Sequence, residues 1–260
     1  MDLWNRREFA WFLGMGNLKA RNASTALGLA WWALNPLLLG LVYFFVFGLL
    51  FDRRIGPGDL PFVSYLMSGM FVFHFTAQSM TGGANAVLQN SKLLANIRFP
   101  RLILPIANLV EAAVGFLSSI LVLYLLAGVL DGLYPGWTVF GLVLVVPLHL
   151  VFNLGLGALV ARLAVPFRDI NNFVPYLNRI WLYLSPVIWP LSFLEGKDPG
   201  KVALVELNPM YHLIQLYRWA FFGSPVEAKT VWSALFWSFG VGVVGIALFV
   251  RHEGKIVRYL

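Results

Sequence analysis

The residues able to do chemistry in this chain are few and far apart. Four histidines, His74, His149, His212 and His252, are scattered, so a histidine metal site is not expected. There is no cysteine, which excludes disulfides, thiol catalysis and Cys-ligated metals. Gly196-Lys197, Gly200-Lys201 and Gly254-Lys255 are not followed by Ser or Thr and lack the upstream glycine of a phosphate-binding loop. Neither HExxH nor a GxSxG nucleophile elbow occurs. The chain is therefore expected not to be an enzyme and to hold no cofactor of its own. As an active transporter it would draw its energy from another chain. A membrane-bound glycan transferase, the enzyme alternative, would need clustered acids or a histidine beside an acid; only Glu111 and Asp169 come near, and they do not cluster.

Glu111 stands alone in a long apolar run. An ionised acid near mid-helix in a bilayer costs about 2.5–3.5 kcal/mol on insertion scales, so it should face the protein interior, where Arg179 is its expected partner. A proton or substrate site is one reading. A single acid without a second acid or histidine makes a poor proton relay, so a paired or protonated packing residue is the favoured one.

The elements that must position these residues are membrane spans. The chain is 59% hydrophobic and 12% charged, against about 25% charged in soluble domains. The net charge of +7 is held in short loops between apolar runs, as charge that sets membrane orientation is, and not as a nucleic-acid face. The fold class expected is an all-α membrane protein with six transmembrane helices at 30–51, 61–80, 102–130, 137–161, 173–194 and 230–250. Segments 1–29, 82–101, 162–172 and 251–260 then hold twice as many Lys and Arg as the intervening ones, which places both termini in the cytoplasm. Met1–Arg21 does not read as a cleavable signal.

Two segments depart from simple spans. Trp4, Trp11, Met15 and Leu18 share one helical stripe, with Phe9 and Leu13 off it; an amphipathic helix at the membrane surface or a plain polar extension both fit. After the fifth span, Ser185-Pro186 and Trp189-Pro190 break the helix. Asn208-Pro209 then reads as a helix start and Gly223 as its stop. A helix of that length reaches about 21 Å, too short to cross. Short helices re-entering the membrane over 195–229 are one reading; an external loop with an amphipathic surface helix is the other. Aromatic residues crowd the first and fifth spans, among them Tyr43, Phe47, Trp181, Tyr183 and Trp189. They fit a path for a sugar polymer, or equally lipid-facing belts and packing.

Several stretches resemble one family in the right order: Asn17–Phe51, Ser68-Gly69, Leu93-Leu94, Phe99-Pro100-Arg101, Arg168-Asp169-Ile170, Ser185-Pro186-Val187-Ile188, and Leu207-Asn208-Pro209 with Arg218. Together they look like the membrane subunits of type-2 ABC transporters that export polysaccharides. That resemblance implies a homodimer with two copies of an ABC ATPase, which would hold ATP and Mg. It implies a lipid-linked polysaccharide substrate (O-antigen, teichoic acid, capsule or cell-wall galactan) and a place in the bacterial cytoplasmic membrane. A related exporter of a lipid or small molecule is the nearest alternative. In Ala84–Ala95, Ala84, Val87, Leu88, Leu94 and Ala95 lie near one helical face, with Lys92 off it, a pattern able to sit in a partner's groove. The expected contacts to the ATPase are Val87, Leu88, Lys92, Leu94 and Arg98, with Arg168 and Asp169 as a second contact.

Overall fold

The computed structural model describes residues 7–22, 25–48, 54–55, 60–97, 99–194 and 199–256. It is all-helical apart from a two-residue antiparallel pairing of Arg54–Ile55 with Leu60–Pro61. The helices are α1 (Arg7–Asn22), α2 (Trp31–Tyr43), α3 (Phe62–Gln89), α4 (Ser91–Asn96), α5 (Ile103–Asp131), α6 (Leu142–Ala164), α7 (Ile170–Leu184), α8 (Pro199–Glu206), α9 (Pro209–Phe222) and α10 (Ala228–Ile256). A turn of π-helix, Phe44–Gly48, extends α2.

Ile103–Asp131, Trp137–Ala164 and Ala228–Gly254 are long and apolar enough to cross a membrane on their own. They account for the third, fourth and sixth expected spans. The other expected spans take different forms. The apolar part of the first is the short Ala33–Val46 helix. The fifth stops as a helix at Leu184, where Ser185 turns extended. The second, α3, is long but carries Gln78, Thr81 and Asn85, and it runs on to Gln89 rather than ending near Met80. The reason is continuity of burial: Gly83, Ala84, Ala86 and Val87 keep facing the interior, so nothing stops the helix before Asn90.

α3 is the central element. It packs on α5, α6, α7 and α9 and is buried along most of its length. One core cluster surrounds its first half, where Phe75 stacks on Phe116 at 4.6 Å and His149 meets Phe75 edge-on. A second cluster surrounds its end and joins Ala10, Val87, Phe99, Ile103, Ala161 and Phe249. Ser64 also hydrogen-bonds to Asp131, tying the start of α3 to the end of α5.

α1 lies along α5. Its buried face is Ala10, Gly14 and Leu18, flanked by half-buried Phe9 and Leu13, while Trp11 and Phe12 point outward. This corrects the expected stripe: of its described members only Leu18 is buried, and Phe9 and Leu13 belong to the packed side. Phe9 meets Phe99 edge-on at 5.4 Å, and a Cβ on Gly14 would press on the Ala107 carbonyl. Packing on α5 therefore sets the rotation of α1, not its Trp content.

Between apolar helices in lipid the hydrophobic effect supplies little, and close backbone approach supplies the attraction. α6 and α10 use that route. Cβ atoms on Gly155 or Gly245 would run into the backbone of the facing helix, and one on Gly242 into Val151. Gly83 of α3 is held in the same way against Gly157 of α6. Gly245→Leu should therefore force α6 and α10 apart, costing about 1–3 kcal/mol or more. Gly240→Leu, on the same helix with nothing within 4 Å of its Cβ position, should be neutral. Thermal unfolding of the two purified variants in one detergent checks the contrast.

Candidate functional site

Three regions carry the functional geometry: the broken segment after α7, the aromatic faces of α2 and α7, and the polar end around α3 and α4.

The broken segment starts at Ser185. Proline at 186 removes a backbone donor, and the chain then runs to Pro190 without regular helix. Its carbonyls need donors. Arg218 of α9 supplies two of them: its guanidinium donates to the carbonyls of Pro186 at 3.3 Å and Val187 at 3.4 Å, and also to that of Tyr65 in α3 at 3.2 Å. It also lies 3.5 Å over the Tyr65 ring. The Tyr65 hydroxyl donates to Pro186 and Trp189 carbonyls at 3.3 and 3.2 Å. Gly69 makes the room, since a Cβ there would press on both Arg218 and Val187.

Asn208 is the second anchor. Its side chain accepts from the Met210 N–H at 3.0 Å, which caps α9, and from Trp181 Nε1 at 2.9 Å. Its amide N–H donates to the Ser185 hydroxyl at 2.8 Å. Gly223, at φ +70°, ends α9. α9 is not an amphipathic surface helix. Met210, Leu213, Ile214, Tyr217 and Phe221 are buried as their stripe predicts, but so are His212, Leu216, Arg218 and Ala220. The helix is held inside the bundle against α3, α6 and α10.

Of the expected path residues, Tyr183 is exposed on α7. Trp181 is half-buried, packs edge-on against Phe73 and donates to Asn208, fastening α7. Trp189 is half-buried and donates to the Tyr183 carbonyl. Tyr43 packs on the core, and the Phe47 side chain lies outside the described residues. Sequence reasoning missed Phe173, Tyr176, Ile180 and Leu184, which with Tyr183 form the open face of α7. Leu38, Val42 and Phe45 form a similar face on α2. The signal was available: Phe173, Tyr176, Ile180 and Tyr183 recur at helical spacing opposite Val174, Asn178 and Trp181.

At the other end, Val87 is only 1% exposed and sits in the second core cluster. It is a core residue, which corrects its place among partner contacts. Leu88 is half-buried, and Leu94 is half-buried against the same cluster. Arg168 and Asp169 are exposed at the α6–α7 turn, next to exposed Phe167. Ile97, not singled out from sequence, is exposed beyond α4. Arg98 and the Lys92 side chain lie outside the described residues.

Glu111 and Arg179 are not brought together. Arg179 is on the exposed side of α7 and forms no ion pair among the described residues. Glu111 instead faces a polar cavity between α1, α3 and α5. Among the described residues no group of His, Asp or Glu is arranged to hold a metal.

The apolar crossing helices and the broken, clamped segment after α7 define a multi-pass helical membrane protein. The chain belongs to the ABC-2 type transporter family, whose profile matches residues 9–222. It is similar to the O-antigen export system permease protein RfbA of Myxococcus xanthus, 33% identical over 221 residues that cover 85% of this chain and 83% of the relative. It is also similar to a protein of the same name from Klebsiella pneumoniae, 26% identical over 245 residues that cover 94% and 92% of the two chains.

Removing the clamp should be costly. Hydrogen bonds to a charged group contribute about 1.5–3 kcal/mol each, and Arg218→Met leaves three carbonyls without that donor. A loss of about 3 kcal/mol or more is expected in the unfolding of the purified protein. Arg218→Lys should not restore it, because one ammonium cannot reproduce the planar fork.

Proposed function

We propose that this chain is the membrane-spanning permease subunit of an ATP-driven exporter that moves a lipid-linked polysaccharide of the O-antigen type across the bacterial cytoplasmic membrane. The observation that carries the reading is the near-full-length similarity to permeases named for O-antigen export. The open face of α7 supports it, since Phe173, Tyr176 and Tyr183 are exposed and aromatic rings suit the apolar faces of sugars. Two copies facing one another across α2 and α7 would enclose a path with such walls, and two copies of an ABC ATPase, holding ATP and Mg, would drive it. Both termini and the α6–α7 turn lie on the cytoplasmic side in this topology, the chain crosses six times, and α8 and α9 re-enter from the outer side.

Coupling runs through two surfaces. One is the end of α3 with α4, where Leu88, Leu94 and Ile97 remain accessible in part. The other is Phe167-Arg168-Asp169. A partner that pushes α4 pushes α3, because Val87 locks the end of that helix into the core.

Purified permease with its ATPase in vesicles should translocate a lipid-linked glycan in an ATP-dependent manner. ATP hydrolysis without transport of any lipid-linked glycan overturns the substrate assignment. Within that assay, Arg168→Glu should leave folding intact and cut export about tenfold or more, the effect of losing one charged contact. Val87→Asp should instead prevent stable folding.

A further inference from the structure

α7 is held in place by very little. Of its 15 residues only Val174 and Asn178 are buried, one turn apart. Val174 shares an apolar cluster with Met80, Ala84, Val160 and Ala164, and between helices in lipid such contact supplies little attraction. Near the Ser185 end, Trp181 is fixed by its bond to Asn208. Asn178 holds the stretch between them. Its amide donates to the Ala77 carbonyl and to the Thr81 hydroxyl of α3, each at 3.2 Å.

Every group in this contact has a second partner at hand. The Ala77 carbonyl lies four residues before Thr81, where a helical Ser or Thr hydroxyl finds an acceptor within its own helix. Ser79 of the same helix already donates in this way to the Phe75 carbonyl at 2.9 Å. An asparagine amide can do the same: Asn85 donates to the Thr81 carbonyl at 2.9 Å and Asn90 to the Ala86 carbonyl at 2.8 Å. Once released, Asn178 has the Val174 carbonyl at that spacing on α7. Opening the contact therefore strands no polar group, and the penalty that makes most buried hydrogen bonds permanent is absent. Two satisfied arrangements of the same side chains are what a two-state element requires.

We propose that Asn178 is a positioning residue, a catch that holds α7 against α3 and opens as α7 swings about its Trp181–Asn208 end. The bond from the Phe173 N–H to the Asp169 carbonyl runs straight from the α6–α7 turn into α7, so a push on that turn reaches the catch. The swing carries the open face of Phe173, Tyr176 and Ile180 with it. That this movement opens an export path rests on the permease reading; the catch itself does not.

The chain has no cysteine, so Phe173→Cys on α7 and Val243→Cys on α10, both at exposed positions, report one distance after spin labelling. The labelled full-length chain is diluted with unlabelled chain in lipid nanodiscs, and the distance within one chain is read by pulsed electron paramagnetic resonance. Asn178→Leu keeps the volume and removes the amide. The population with α7 swung away should rise about threefold or more, the effect of losing an interhelical hydrogen bond in lipid. Asn178→Ser, one bond shorter, should act in the same way and serves if the leucine variant does not fold. Val174→Ala, also buried but apolar, should leave the distribution unchanged. An unchanged distribution in the Asn178 variants, or a Val174→Ala shift as large as theirs, overturns the proposal. In the complex with the ATPase, ATP under conditions that prevent hydrolysis should bring the parent to the distance of Asn178→Leu. No such change beside normal glycan export overturns the catch alone. The change without export of any lipid-linked glycan removes the export reading alone.

Discussion

Everything at the broken end of the molecule depends on one requirement: backbone that leaves the helix inside a bilayer protein must find its hydrogen bonds within the protein. Arg218 meets that requirement for Pro186 and Val187 at once, and its third bond, to the Tyr65 carbonyl, ties the segment to α3. A fully buried guanidinium with no carboxylate partner among the described residues would ordinarily be a severe cost. Here the positive charge is solvated by three carbonyl dipoles and by the face of the Tyr65 ring. The charge and the broken backbone therefore satisfy each other, and neither is stable without the other. Gly69 and Ser68, small residues on α3, are what allow the two helices to come close enough for this.

The same economy of small residues shapes the opposite side of the bundle. Gly155, Gly242 and Gly245 bring α6 and α10 to backbone contact, and Gly83 with Gly157 does so for α3 and α6. A rigid body of α3, α5, α6 and α10 results, since close-packed backbones cannot slide without opening voids. Against this body α2 and α7 are held on one side only. α7 packs on α3 and, more lightly, on α6, and its outer face of Phe173, Tyr176, Ile180 and Tyr183 is left open. The molecule thus divides into a locked half and two half-packed helices.

Much of this was legible from residues alone. The three apolar spans follow from composition, and the start and stop of α9 follow from Asn208-Pro209 and Gly223, whose local backbone chemistry needs no tertiary context. What could not be read depended on distant packing. Val87 looked like a docking residue because it shares an apolar helical face with Ala84, Leu88 and Leu94, yet it is buried in the second core cluster with Phe99 and Phe249. Trp181 looked like a path residue because of its type, yet Asn208 and Phe73 hold it. Glu111 and Arg179 looked complementary in charge, but α5 and α7 turn them to different surroundings. Gln78, Thr81, Gly82, Asn85 and Gln89 of the polar cavity do recur at helical spacing, but a span ended at Met80 divides them between a helix and a loop. They come together only because α3 continues as a helix beyond Met80.

That continuation links the two ends. A helix of 28 residues is about 42 Å long at 1.5 Å per residue, enough to join the cytoplasmic and outer sides in the proposed topology. Tyr65 sits in its first turn beside the Arg218 clamp, Thr81 to Gln89 wall the polar cavity, and Val87 anchors its end in the second core cluster. In the coupling proposed above, a displacement of α4 would not be absorbed near Val87, where packing is tight, and would pass along the helix axis. The segment held by the clamp has no helical hydrogen bonds of its own, so its Pro186 and Val187 carbonyls depend on the Arg218 donors. The Arg218 clamp at the first turn of α3 and the polar cavity along its second half are thus tied to one continuous helix.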